Sequence, residues 1–206
     1  YKSASTPWEW HQALFDYAKK SGITIFSSPF DNSAVDLLEN LNTPAYKIAS
    51  FEAIDLPLIR YVAQTGKPLI ISTGMADFEE IQEAISVAKE AGCNELAILH
   101  CVSGYPAPAS DYNLKTLVDM QKKFKLVTGL SDHTINNATS IASVALGASI
   151  IEKHVTLDRA GGGPDDSFSL ESDDLRQLCV QAKTAWESVG VITVSYTHLT
   201  LPTIYS

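Results

Sequence analysis

Residues 126–155 read LVTGLSDHTINNATSIASVALGASIIEKHV, and this stretch decides the fold because its hydrophobic period changes twice. "LVTGLS" (126–131) and "ASIIEKHV" (148–155) are short apolar runs of strand length. "NNATSIASVALG" (136–147) between them has helical spacing and stops on Gly147. A strand, a helix and a second strand in so short a span form one β/α unit of a parallel sheet.

The unit recurs toward the N-terminus. Further β-branched runs stand at "ITIFSS" (23–28), "AYKIAS" (45–50), "PLIISTG" (68–74) and "LAILHCVS" (96–103). Helical patterns separate them: "WEWHQALFDYAKKSG", "SAVDLLENLN", "LPLIRYVAQTG", "DFEEIQEAISVAKEAG" and "LKTLVDMQKKF", with "SDDLRQLCVQAKTAWESVG" after the last strand. Asp77 with Glu80 has the spacing of a capping box, and Gly22, Gly66, Gly92, Gly147 and Gly190 close helices. Near-continuous apolar strands require a parallel sheet covered by helices, either a (β/α)8 barrel or an open doubly wound sheet. No GxGxxG or GxxxxGK[ST] follows the first strand, which weakens the nucleotide-binding open sheet. Each run also ends in small or functional polar groups: Ser27 and Ser28, Ser50, Ser72 and Thr73, Ser103, Ser131 with His133, and Glu152 with His154. Polar groups at the carboxyl end of every strand are what a barrel needs for a site at its top face.

The composition sets outer bounds. With 206 residues, 45% hydrophobic and 19% charged, the chain can form one soluble domain with a sizeable core. It has no apolar run of membrane-span length and no signal-peptide layout, so a cytoplasmic location is expected. A net charge of -9 without a basic cluster argues against nucleic acid or an anionic membrane as partner. Cys93, Cys101 and Cys179 lack CxxC spacing and read as reduced fillers. The chain opens on Tyr1 in polar sequence and is expected to be a fragment. From Val191 onward, "VITVSYTHLTLPTIYS" has no Lys, Arg, Asp or Glu and resembles a translated sequencing adaptor, so residues 191–206, His198 included, are set aside.

Three features carry candidate chemistry. His133 and His154 end successive strands; if the strands are neighbours, both imidazoles reach one mouth and can share a divalent cation, beside Asp132 and Glu152. The structural alternative is a capping His133 and a core His154. Strand alternation puts Glu152 and His154 on one face and Lys153 on the other. Lys47 lies inside an apolar strand and needs an anion: a salt-bridge partner, a phosphate or carboxylate ligand aided by Ser28, Ser50 and Ser72, or a Schiff-base carbonyl. "GGGPDDSFS" (161–169) is either a loop able to close over a ligand, with Asp165 on sugar hydroxyls, or a plain surface loop; Tyr105 can line the same mouth. His11 and His100 receive no role.

"TPWEWHQALFDYAKKSGITIFSSPFD", "AYKIASFE", "ISTGM", "HCVSGYPAP", "GLSDHT", "IEKHVTLDR" and "GGGPDDSFSLE", in this order over residues 6 to 190, resemble the sialic acid synthase family, most closely its pseudaminic acid branch. The resemblance implies a (β/α)8 TIM barrel that condenses phosphoenolpyruvate with an open-chain N-acetylated amino sugar of the 2,4-diacetamido-2,4,6-trideoxy-altrose type. The product is a nine-carbon 2-keto acid, with phosphate released. It implies Mn2+ or Mg2+ on His133 and His154, with Glu152 near the metal. Phosphoenolpyruvate would contact Ser28, Lys47, Ser50, Ser72, Ser103 and Ser131, and the sugar Tyr105 and Asp165. Ser103 departs from the Asn common in the sialic acid enzymes. On this reading residues 1–190 hold strands three to eight, and the first two β/α units and a C-terminal antifreeze-like domain are missing. The piece alone is expected to be inactive, and the full-length protein a homodimer. A sialic or legionaminic acid product, a Schiff-base aldolase and a non-catalytic sugar-binding barrel are the rival readings.

Overall fold

The computed structural model describes residues 6–191, so residues 192–206 of the adaptor-like tail, His198 included, lie outside the described residues. Five of the apolar runs form strands: β1 (Tyr46–Ile48), β2 (Leu69–Ser72), β3 (Leu96–Cys101), β4 (Val127–Asp132) and β5 (Ile151–Lys153). Each pairs in parallel with the next in the chain. This sequential order is that of a barrel wall; a doubly wound sheet reverses its order at a switch point. The architecture is a half-barrel of α/β class.

The expected sixth strand at 23–28 is corrected. Only Ser27 forms a parallel bridge, to Tyr46, with the Lys47 N–H donating to the Ser27 carbonyl at 3.3 Å. Ile23 and Phe26 are exposed, so a run with one sheet neighbour buries too little to extend into a ladder.

The helices fall where the 3.6-residue pattern puts them: α1 (His11–Ser21), α2 (Asn32–Asn40), α3 (Leu56–Ala63), α4 (Phe78–Glu90), α5 (Lys115–Phe124), α6 (Ala138–Ala145) and α7 (Ser172–Val189). The capping box before α4 is formed, with the Glu80 N–H donating to Asp77 Oδ1 at 2.9 Å and the Asp77 N–H to Glu80 Oε2 at 2.8 Å. Gly22 ends α1 at φ 70°, a left-handed conformation that favours glycine. The larger core packs Tyr46, Ile48, Leu69, Ile71 and Ile98 against Ile59 and Val62 of α3 and Ala84 and Ala88 of α4. A second cluster gathers Tyr112, Leu117, Leu130 and Ala148 behind β4. Each large apolar side chain so buried contributes roughly 1.5–3 kcal/mol.

Gly129, in mid β4, is required by close approach. A Cβ there would stand 2.5 Å from the Ile150 carbonyl oxygen and 2.7 Å from Leu99 Cδ2.

Beyond β5 the glycine-rich loop is pinned. Asp166 Oδ1 accepts from the Thr156 hydroxyl at 2.6 Å and Oδ2 from the Gly163 N–H at 2.7 Å. A Cβ at Gly161 or Gly163 would press on that carboxylate at 2.8 or 2.9 Å, so the glycines let the backbone wrap it. Arg159 adds a second anchor, donating to the Ser169 carbonyl at 2.9 Å and pairing with Asp174 at 2.6 Å. The Leu170 N–H then returns to the His154 carbonyl at 2.9 Å.

Two outcomes follow. Gly129→Ala destabilises the complete protein by about 1–3 kcal/mol, the range for overpacking a filled interior, measured by urea unfolding; an unchanged midpoint refutes the contact. Asp166 has its pKa lowered by the Thr156 hydroxyl and the Gly163 N–H. A depressed carboxyl stabilises above its unfolded pKa of about 3.9 and loses that contribution as pH falls through the folded value. Hydrogen-exchange protection of residues 161–169 therefore holds at neutral pH, drops on acidification below that point, and is lost at all pH in Asp166→Ala.

Candidate active site at the carboxyl ends of the strands

The register sets the site. Cys101 pairs with Ser131 and Ser131 with Glu152, so the three form one row across β3, β4 and β5. Lys47 pairs with Ile70, and alternation along β2 puts Ser72 on the same face. This face opens into a cavity of about 370 Å³ that Ser28, Lys47, Ser50, Ser72, Cys101, Tyr105, Ser131, His133, Glu152 and His154 all line. Of the expected site residues only Ser103 and Asp165 are off its wall. The Ser103 hydroxyl packs on Gly74, where a Cβ would meet it at 2.7 Å, and Asp165 contacts His154.

Lys47 is buried, as its strand requires, and its anion within the chain is Glu152, with Nζ to Oε2 at 3.5 Å. Nζ also donates to the Ile48 carbonyl at 3.2 Å, and Glu152 Oε1 accepts from the Ser131 hydroxyl at 2.7 Å. Ser50 Oγ accepts from the Gly74 N–H at 3.1 Å. The Ser72 and Ser103 hydroxyls are buried and have no hydrogen-bond partner among the described residues. Such groups cost about 1–3 kcal/mol when left unsatisfied, and Ser72, the one of the two on the cavity wall, marks a place where a ligand with acceptor oxygens fits.

The two histidines meet. Their ring centroids are 5.3 Å apart at 65°. Two imidazoles sharing one ion through nitrogens at roughly 2.1 Å, about 90–110° apart, have centroids about 4.5–5.3 Å apart. His133 Nδ1–H donates to the Val102 carbonyl at 2.8 Å, which leaves the lone pair on Nε2. His154 Nδ1 lies 3.3 Å from Asp165 Oδ2, the carboxylate–histidine arrangement that orients metal ligands. The donor set therefore fits a cation. Among the described residues no group of three or more His, Cys, Asp or Glu is placed to hold one ion together, so other ligands would be water or substrate oxygens.

The electrostatics of the pair differ. Burial opposes charge on His133, yet the Cys101 thiol, the Val102 carbonyl and Glu152 together raise its pKa. Burial lowers that of His154, helped by His133, although Asp165 pulls the other way. Tyr105 stacks on His133 at 4.3 Å between centroids, and Phe168 lies 5.2 Å from His154, giving the rings an aromatic wall. His100 leaves the site, with Nε2–H donating to the Tyr112 carbonyl at 2.5 Å.

The sequence reading missed Cys101, Phe168 and Tyr112. Burial opposes ionisation of the Cys101 thiol, but hydrogen bonds with His133, Ser50 and Ser131 outweigh it and lower the pKa. Cys101 shares strand parity with Ser103, a signal that would have placed it inward. Phe168 stood within the quoted loop. Tyr112, eleven residues past the end of β3, left no local signal.

No helix among the described residues is long and apolar enough to cross a membrane. The NeuB family matches residues 1–193. A pseudaminic acid synthase of Helicobacter pylori is 44% identical over 190 residues, 92% of this chain and 56% of that protein. An N,N'-diacetyllegionaminic acid synthase of Campylobacter jejuni is 43% identical over 182 residues, 87% of this chain and 54% of that protein. The chain thus spans about half the length of the relatives it matches. The crystal structure of N-acetylneuraminic acid (sialic acid) synthetase from Leptospira borgpetersenii, in complex with citrate, matches with TM-score 0.91 at 30% identity, covering 96% of this chain and 69% of that one. With sequence and half-barrel in agreement over nearly all its length, the chain belongs to the NeuB family.

Proposed function

We propose that this chain is the catalytic barrel segment of a nonulosonic acid synthase, its strands and the Ser27 bridge serving as staves three to eight. It condenses phosphoenolpyruvate with an N-acetylated amino sugar in its aldehyde form. The observation that carries the reading is a cation and unsatisfied hydroxyls beside paired imidazoles: Lys47 and Ser72 on one face of β1 and β2, His133 and His154 at the ends of β4 and β5. Relatives named for pseudaminic acid synthesis at 44% and 41% identity support that product, and the 43% identical legionaminic relative makes it the rival.

In the proposed reaction Lys47 and the serine hydroxyls hold the phosphate and carboxylate of phosphoenolpyruvate. Its C3 forms a bond to the sugar aldehyde carbon, whose oxygen takes a proton. Water adds at C2, the C2–O bond to phosphate breaks, and the 2-keto acid and inorganic phosphate remain. Tyr105 and Phe168 keep bulk water from the rings. His133 and His154 would hold a divalent cation, Mn2+ or Mg2+, which when bound supplies Lewis-acid polarisation of a carbonyl oxygen.

In the complete protein, His154→Ala abolishes metal-dependent phosphate release, and Lys47→Met raises the KM for phosphoenolpyruvate more than tenfold. Near-normal turnover in folded His154→Ala refutes the assignment. Parallel assays with altrose-type, legionaminic-type and mannosamine-type sugars identify the product.

A further inference from the structure

Behind the histidines, on the opposite face of the strands, lies a buried ionic network that the proposed chemistry does not use. Asp132 and Lys153 are direct cross-strand partners at the ends of β4 and β5, and each immediately precedes one of the two histidines. Their side chains are 0% and 4% exposed, with Lys153 Nζ 3.2 Å from Asp132 Oδ2. Asp132 also accepts from the Thr134 N–H at 2.8 Å and from the Ser140 hydroxyl at 2.5 Å. Lys153 donates to the Thr134 carbonyl at 2.5 Å and the Asn136 carbonyl at 3.1 Å. From a third side the fully buried Tyr112 hydroxyl accepts from the His133 N–H at 2.6 Å and donates to the Ser131 carbonyl at 3.4 Å. The backbone from Ser131 to Thr134 is therefore tied on both sides of His133 and to the residue before His154.

A buried ion pair is poor material for stability, because well-packed neutral residues generally do as well or better. Its directional bonds do fix geometry. We infer that the Asp132–Lys153 pair, with the Tyr112 hydroxyl, is a positioning device that sets the separation of His133 and His154 and so their joint affinity for a divalent cation. The inference rests on the metal reading above.

The test is EPR titration of Mn2+ on the complete protein stripped of metal, with urea unfolding in parallel. Asp132→Asn combined with Lys153→Met removes both charges, so the fold survives with stability near that of the wild type, while Mn2+ binds at least tenfold more weakly. Inorganic phosphate binding, on the Lys47 side, stays within twofold. Tyr112→Phe, a smaller change, weakens Mn2+ at least threefold. A Mn2+ affinity within twofold of wild type in the folded double variant, or in Tyr112→Phe where the double variant does not fold, overturns the inference. If His154→Ala loses Mn2+ in the same experiment, this inference fails alone. If the wild type binds no Mn2+, or His154→Ala binds it as tightly, the metal reading falls and takes the inference with it.

Discussion

The ion pair between Lys47 and Glu152 joins the first strand of the sheet to the last. Three strands stand between β1 and β5, and a flat sheet with strands about 4.8 Å apart would separate their backbones by about 19 Å, more than a lysine and a glutamate side chain can span together. The observed 3.5 Å exists only because the sheet curls, so the contact and the half-barrel imply each other. Curling is also what makes a site possible: strand ends that would lie along a line now face a common centre. Glu152 is 41% exposed, so solvent screens the attraction, and the pair contributes geometry more than stability.

The same strands carry two polar systems separated by alternation. On the inner face, Cys101, Ser131 and Glu152 form the row that the cavity exposes to ligand. On the outer face, Asp132 and Lys153 bury their charges against the α6 side of the sheet, where Ser140 caps the carboxylate. A one-residue slip of β5 against β4 would exchange the two systems, turning the Lys153 ammonium away from Asp132 and Glu152 into the packing layer. Opposite charges on the outer face oppose that slip, since Asp132 and Lys153 meet in the native register.

What the sequence revealed followed from short-range rules. Helix positions and the Asp77–Glu80 box depend on neighbours three or four residues away, and those held in the structure. The run at 23–28 did not become a strand because a strand is made by its neighbours, and of the run Ser27 alone bridges to β1. The glycine-rich loop looked pliant because glycine is locally permissive. Its rigidity comes from Asp166, whose partner Thr156 lies ten residues away, and from Arg159 reaching Asp174. Cys101 was passed over because composition treats a lone cysteine as filler, although its parity with Ser103 pointed it inward, where it pairs with Ser131. Tyr112 was out of reach altogether, since its bonds to His133 and Ser131 span 21 and 19 residues.

Glu152 also joins the two halves of the site. One of its oxygens faces Lys47, on the side of the unsatisfied Ser72 hydroxyl, and the other takes the Ser131 hydroxyl, in the strand that leads to His133. A cation as buried as Lys47 must keep an anion beside it. On the proposed reading, the phosphate of an incoming substrate takes over part of that role, and Glu152, already partly in solvent, can turn to water at small cost. The carboxylate then acts as a stand-in that keeps the cradle formed before substrate arrives, while its second oxygen keeps its bond to the Ser131 hydroxyl. One side chain thus touches both halves of the site, the Lys47 ammonium through one oxygen and the Ser131 hydroxyl through the other.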